Sequence, residues 1–210
     1  MEHDRHGAKQ PHRFDPSHAA ALDDRARFEF LDPIKVFTLL DAPKNGLVVD
    51  FGTGTGTYAI ELAAARPDLK VFALDEQQPM LDLLATKLID RPLVNLESLM
   101  ARTPAAQALK GRADRVLALN VLHELGDEAI DELAALLKPD GRVLFIDWNA
   151  EADRTAGPPR DHVYGPQAAA ARIEHFGFAV DKQTLFRDHY ALLGQAKRAD
   201  PTYPTATKHS

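Results

Sequence analysis

Short runs of apolar, β-branched residues alternate along the chain with stretches whose apolar positions recur every three or four residues. Residues 47–51, Leu-Val-Val-Asp-Phe, are too few for a helix and suit a buried strand. Residues 57–65 then read as a helix stopped near Pro67, and 69–74 as a second strand. Residues 78–89 carry Met80, Leu83, Leu84 and Leu88 at helical spacing. A weaker third strand is predicted at 93–96, a fourth at 115–119 and a helix at 127–137. The turn signal Lys138-Pro139-Asp140-Gly141 precedes a fifth strand at 142–146. A helix at 167–176 ends at Gly177, and 178–186 with 190–193 read as a closing hairpin. Ahead of these, 16–31 is predicted as one helix with Ala19, Leu22 and Ala26 on a stripe. Asp32-Pro33 opens a second helix that reaches about Leu40.

Strand–helix alternation of this kind predicts an α/β fold: a mostly parallel sheet with helices on both faces, and here an antiparallel edge from the final hairpin. Ligands in such sheets bind beyond the carboxyl ends of the strands, so useful residues should follow each strand. The chain of 210 residues suits one core. It divides into a flexible tail at 1–12, a single domain at 13–198 whose first part, 13–45, is a helical cap, and a second flexible tail at 199–210.

Composition narrows the function classes. The absence of cysteine removes disulfides, thiolate metal sites, iron–sulfur clusters and cysteine nucleophiles, and it fits a reducing cytosol, so a cytoplasmic protein is expected. No His/Asp/Glu cluster has metal-ligand spacing, so no metal is expected. A net charge of −6 without a Lys/Arg-rich run argues against a nucleic-acid partner. No apolar run approaches the roughly 20 residues that span a bilayer, and residues 1–12 lack the apolar centre of a signal peptide, so no membrane partner is expected.

The strongest local signal follows the first strand. Asp50-Phe51-Gly52-Thr53-Gly54-Thr55-Gly56-Thr57 sets three alternating glycines between a strand and a helix. Glycine admits positive φ and lets backbone approach a ligand, while the helix start offers free amides to an anion. A carboxylate or a phosphate fits that much. A dinucleotide fingerprint, however, needs its third glycine at the position Thr57 occupies. Asp50 would repel a pyrophosphate and attract an ammonium. The amino acid end of S-adenosylmethionine (SAM) carries both an ammonium and a carboxylate. Asp75 ends the second strand 19 positions after Gly56 (75 − 56), the spacing at which a carboxylate receives ribose hydroxyls. An Asp there also suits the cap of the next helix.

These residues resemble the class I SAM-dependent methyltransferases. Residues 49–56 are similar to that family's first motif, Asp75 to its second-strand acid, and Asn120-Val121-Leu122-His123-Glu124-Leu125 to the segment after its fourth strand. Lys138-Pro139-Asp140-Gly141-Arg142 is similar to its turn before the fifth strand, with Asp140 in place of the usual glycine. Arg13-Phe14-Asp15, Leu22-Asp23 with Arg27, Ile146-Asp147-Trp148 and Gly157-Pro158-Pro159 resemble a subset of small bacterial members. The resemblance implies a Rossmann-like, seven-stranded sheet with an antiparallel last strand. It implies SAM as cofactor, with Asp50, Gly52, Thr53, Gly54, Gly56 and Asn120 around its methionine end and Asp75 on its ribose. Ser98 and Leu99 would flank the adenine, with Glu76 where an apolar residue is more usual.

The expected activity is methyl transfer to a small-molecule acceptor. A nucleotide (NAD)-binding oxidoreductase and a non-catalytic SAM-binding module are the alternatives. Candidate catalytic residues follow the fourth and fifth strands: His123 and Asp147, with His162 and Tyr164 in the long loop beyond. The N-terminal segment with Arg25 and Arg27 is a candidate lid over the cofactor. The acceptor and the oligomeric state are not written in the sequence.

Overall fold

Val48 and Val49 point to opposite faces of one strand, and each face has its own core. In the computed structural model the described residues are 15–196; both expected tails and the Arg13-Phe14 pair lie outside them. The strands are β1 (Leu47–Phe51), β2 (Lys70–Asp75), β3 (Leu96–Met100), β4 (Ala113–Leu119), β5 (Leu137–Trp148), β6 (Phe178–Leu185) and β7 (His189–Ala196). Among the described residues they form one seven-stranded sheet in the order β3-β2-β1-β4-β5-β7-β6. Strands β1 to β5 pair in parallel, and β7 runs antiparallel to both β5 and β6. This is the expected α/β sheet with its antiparallel last strand.

The helices are α1 (Pro33–Leu40), α2 (Thr57–Ala65), α3 (Gln78–Asp90), α4 (Pro104–Gln107), α5 (Asp127–Leu136) and α6 (Pro166–His175). On one face Val36, Leu40, Tyr58, Leu62 and Leu84 from α1, α2 and α3 cover Val48, Leu117, Leu144 and Ile146. On the other, Ile130 and Leu133 of α5 and Ile173 of α6 cover Val49, Val116 and Phe145. Strand β1 pairs with both β2 and β4, so the chain leaves β1 in one direction and returns on its other side. That reversal opens a crevice at the carboxyl ends of β1 and β4. No helix among the described residues is long and apolar enough to cross a membrane.

Three local expectations need correction. Residues 16–31 do not form one helix: two 3-10 turns, Pro16–Leu22 and Arg25–Glu29, are separated where the Asp24 carboxylate accepts the Ala26 amide at 2.9 Å and starts a new turn. The third strand is Leu96–Met100 rather than 93–96, because Leu93 and Val94 belong to the preceding turn and Val94 is fully exposed (101%). Asn95 holds that turn, its Nδ2 lying 3.0–3.2 Å from the carbonyls of Ala63, Arg66 and Leu69. Residues 138–141 bulge within β5, whose pairing jumps from Ala113↔Leu137 to Arg115↔Arg142. Helix α4 was not foreseen; Thr103 caps it, accepting the Ala106 amide at 3.3 Å.

The hairpin buries one unusual side chain. His189 pairs opposite Trp148 in the β5–β7 ladder and stacks on its ring at 4.1 Å between centroids. It is 1% exposed, and both ring nitrogens are buried without hydrogen-bond partners. Burial drives its pKa down to about 4. A histidine with a depressed folded pKa contributes stability above its unfolded value and loses it as pH falls toward the folded value. Acidification from pH 6.5 to about 4 should therefore cost about 3 kcal/mol at this site. His189→Phe should flatten this acid sensitivity, read as the melting temperature between those pH values. An unchanged acid slope would show that His189 is not its source.

Candidate active site

The crevice is a cavity of about 720 Å³ lined by Asp50, the loop at 52–55, Asp75, Asn120 and His123, with Leu22 and Arg27 from the N-terminal segment. The loop is tied to its neighbours by backbone. Gly52 and Thr53 amides donate to Leu74 O at 2.8 and 2.9 Å, and the Gly54 amide donates to Asp75 Oδ2 at 2.8 Å. Gly54 sits at φ +56°, and a Cβ there would lie 3.1 Å from Leu22 Cδ1. Any side chain would thus occupy the gap between loop and cap.

Two buried carboxylates flank the loop. Burial pushes Asp50 up to about 7; the Thr53 hydroxyl, donating at 2.6 Å, holds it down, and the charge of Asp75 adds to the rise. Burial also raises Asp75, whose Oδ1 accepts the Gln77 amide at 2.9 Å. Asp75 therefore fastens β2 to the glycine loop and to the approach of α3, while still lining the cavity. Asn120 follows β4 in the left-handed region at φ +58°. Its amide donates to Ile146 O at 2.6 Å, and its buried Oδ1 has no partner. A strained backbone that presents an orphaned acceptor beside a cavity marks a site awaiting a donor.

The N-terminal segment is latched over this end. Asp23 Oδ1 accepts from Thr55 Oγ1 at 2.6 Å and Thr57 Oγ1 at 2.8 Å, and from Lys87 Nζ of α3. Arg27 Nη1 donates to Leu22 O at 2.6 Å, and Tyr58 Oη to Leu31 O at 2.7 Å.

The same cavity is also lined by His123, Glu124, Asp127, Tyr164 and Arg172. Arg172 donates to Leu125 O at 2.8 Å and to Asp127 Oδ1 at 3.2 Å, and its guanidinium lies 5.7 Å from the Tyr164 ring. Asp147 does not line the cavity; it is buried behind His123 and hydrogen-bonded to it. The Trp148 and Gly157 ends of the Ile146-Asp147-Trp148 and Gly157-Pro158-Pro159 patterns pack together. A Cβ on Gly157, at φ +86°, would lie 2.7 Å from the Trp148 ring, and Arg154 over that ring donates to Pro158 O at 2.6 Å.

Some expected residues lie elsewhere. Ser98 and Leu99 are inside β3, opposite Ala73 and Leu74, because that strand starts later than its apolar run suggested. Ala101 and Arg102, just past its true end, line the cavity instead. Thr103-Pro104, a helix-start signal, could have located that end. Gly56 caps α2 and does not line the cavity. His162 is exposed in a 3-10 turn, Arg160–His162, and does not line it either, whereas Tyr164 does. Arg172 was missed; nothing in its helical pattern distinguishes it from a solvated face. Among the described residues no cluster of three or more His, Asp or Glu could hold a metal.

A family model described as a methyltransferase domain matches residues 49–143, from the first strand into the fifth. A crystal structure of a SAM-dependent methyltransferase from Aquifex aeolicus is 28% identical, with a TM-score of 0.79 over 87% of this chain and 98% of that one. An uncharacterized methyltransferase of Bacillus velezensis is 27% identical over 154 residues, 71% of this chain and 65% of its own length. The mouse tRNA (carboxymethyluridine(34)-5-O)-methyltransferase ALKBH8 is 26% identical over 53% of this chain, which spans only 16% of that protein. The sheet order, the cavity at its reversal point and these likenesses agree: residues 49–143 match a methyltransferase domain, and the fold is similar to that of a SAM-dependent methyltransferase.

Proposed function

We propose that this chain transfers a methyl group from SAM to a small-molecule nucleophile, and that it belongs with the small bacterial members marked by the Ile-Asp-Trp and Gly-Pro-Pro patterns. The observation that carries the reading is one cavity lined by a glycine cradle, two buried carboxylates, an orphaned acceptor and His123. The chemistry of the donor set fits SAM. Asp50 and Asn120 Oδ1 suit the ammonium, and the backbone of 52–54 admits the methionine carboxylate. Asp75 suits the ribose diol, and Ala101 and Arg102 with Glu76 would border the base. When bound, SAM supplies a methyl group already activated as a sulfonium.

The protein's part is then binding, alignment and exclusion of water. Leu22 and Arg27, with 13–45 as a cap on a single domain, would shield the reacting centre. The acceptor would enter beside His123 and Tyr164. Glu124, Asp127, Glu128 and Glu132 line the cavity, and of these Asp127 and Glu132 are offset by ion pairs to Arg172 and Arg102, which leaves a net negative lining. A polyanion would be repelled there, which favours a small acceptor over RNA.

Asp75→Ala should weaken SAM binding about 5- to 150-fold, the scale of about 1–3 kcal/mol for hydrogen bonds to a charged group. Calorimetric titration measures it directly. An unchanged affinity would reduce Asp75 to a fastener of the Gly54 and Gln77 amides.

A further inference from the structure

Two histidines of this fold are buried near Trp148, and their surroundings differ completely. His189 is unpaired. His123, which lines the cavity, places Nδ1 at 2.8 and 2.9 Å from the two oxygens of Asp147. The His123 amide also donates to Asp147 Oδ2 at 2.9 Å, and the Trp148 amide to Oδ1 at 2.7 Å. Asp147 is 0% exposed, so two backbone donors and one imidazole satisfy it. A carboxylate fixed in this way accepts a hydrogen bond from Nδ1–H and so leaves Nε2 of the neutral ring as an acceptor. Nε2 lies 3.6 Å from Glu124 Oε1, another cavity residue. An imidazole serving only to fill the core has no need of a carboxylate behind it and a cavity in front.

The geometry points to His123 as the general base of methyl transfer, with Asp147 as its positioning residue, and so to an acceptor that carries an ionisable O–H or N–H proton. This rests on the methyltransferase reading above. The acceptor's proton passes to His123 Nε2 and its lone pair forms the new bond to the methyl carbon. The C–S bond breaks with its electron pair kept by sulfur, giving S-adenosylhomocysteine. A carboxylate acceptor, ionised at neutral pH, would give such a base nothing to do.

The charges around the ring set the pH dependence. Burial pushes the His123 pKa down, but the Asp147 hydrogen bond and charge, with Glu124, more than reverse this, and Arg154 opposes them weakly. The net direction is upward from 6.5. Tyr164 and Arg172 line the same cavity as His123, and Tyr190 lies opposite Asp147 on β7. Turnover should climb with pH through the His123 titration and level off above it.

The test reads the ring and the reaction separately. Nitrogen-15 NMR of histidine-labelled protein should find His123 in the Nδ1–H tautomer when neutral, titrating above free histidine. Asp147→Asn should lower that pKa by about one unit or more. Turnover is then followed as labelled methyl from SAM onto a panel of phenol, catechol, benzylamine and benzoate. His123→Gln should lose about 100-fold or more in turnover while SAM affinity is kept, which also reports that the variant is folded. The wild-type pH profile should track the NMR pKa, and Asp147→Asn should move both together. An Nε2–H tautomer, a flat profile, a His123→Gln loss under about threefold, methylation of benzoate alone, or SAM binding with no probe methylated would each overturn the base assignment. Failure of SAM to bind at all, with the dyad titrating as expected, overturns the methyltransferase reading and this role with it.

Discussion

Gly54→Val should reduce SAM affinity by about 100-fold or more while leaving the fold intact. Valine at φ +56° is a backbone outlier, and its cost alone is on the order of 1–3 kcal/mol. The steric consequence is larger. The first carbon already stands 3.1 Å from Leu22 Cδ1, and the two γ carbons would fill space between glycine loop and cap. Either the loop leaves Asp75, breaking the Gly54 amide bond, or the cap lifts against the Asp23 latch. Both outcomes damage the cradle. Gly54→Ala should be milder. Calorimetric titration of SAM with a melt of the apo protein separates the binding loss from general instability. A normal SAM affinity in Gly54→Val would move the cofactor away from this loop.

Asp50→Asn should stabilise the apo protein at alkaline pH and weaken SAM binding in the same molecule. The Asp50 carboxyl is pushed from 3.8 to about 7, so the folded chain holds a proton that the unfolded chain has released. Stability therefore falls as pH rises between those values, by on the order of 4 kcal/mol in full. Asparagine removes that loss. The ionised form is the one an ammonium would favour, so SAM binding should expel the Asp50 proton below pH 7. Affinity should rise with pH by up to about tenfold per unit and level off above about 7, and Asp50→Asn should abolish the slope. Calorimetry in two buffers of different ionisation enthalpy counts the released proton. A pH-independent affinity in the wild type would mean that no cation sits on Asp50.

The parts of this fold that sequence made legible are those built from neighbours in the chain. Phe51 to Thr57 carries strand end, turn and helix start within seven positions, and the structure folds it as read. The closing hairpin was legible for the same reason. Apolar count misled where it was not burial: Leu93 and Val94 look like a strand and form a turn, which displaced Ser98 and Leu99 from the cavity edge. Asp24 broke a helix that periodicity favoured, because its carboxylate offered the backbone a competing bond. Longer-range pairings left no trace. His123 and Asp147 were each visible as candidates after their strands, but their contact is 24 positions apart. Gly157 under Trp148 and Arg172 beside Tyr164 depend on how a loop and a helix return to the sheet.

The most direct test of the central claim is a thermal melt with SAM, S-adenosylhomocysteine and NAD side by side. A ligand at about 100 times its dissociation constant stabilises by about 2.7 kcal/mol, several degrees for a domain of this size. Upward shifts with SAM and S-adenosylhomocysteine and none with NAD are the predicted result. No shift with either sulfur compound, or a shift with NAD alone, would contradict it.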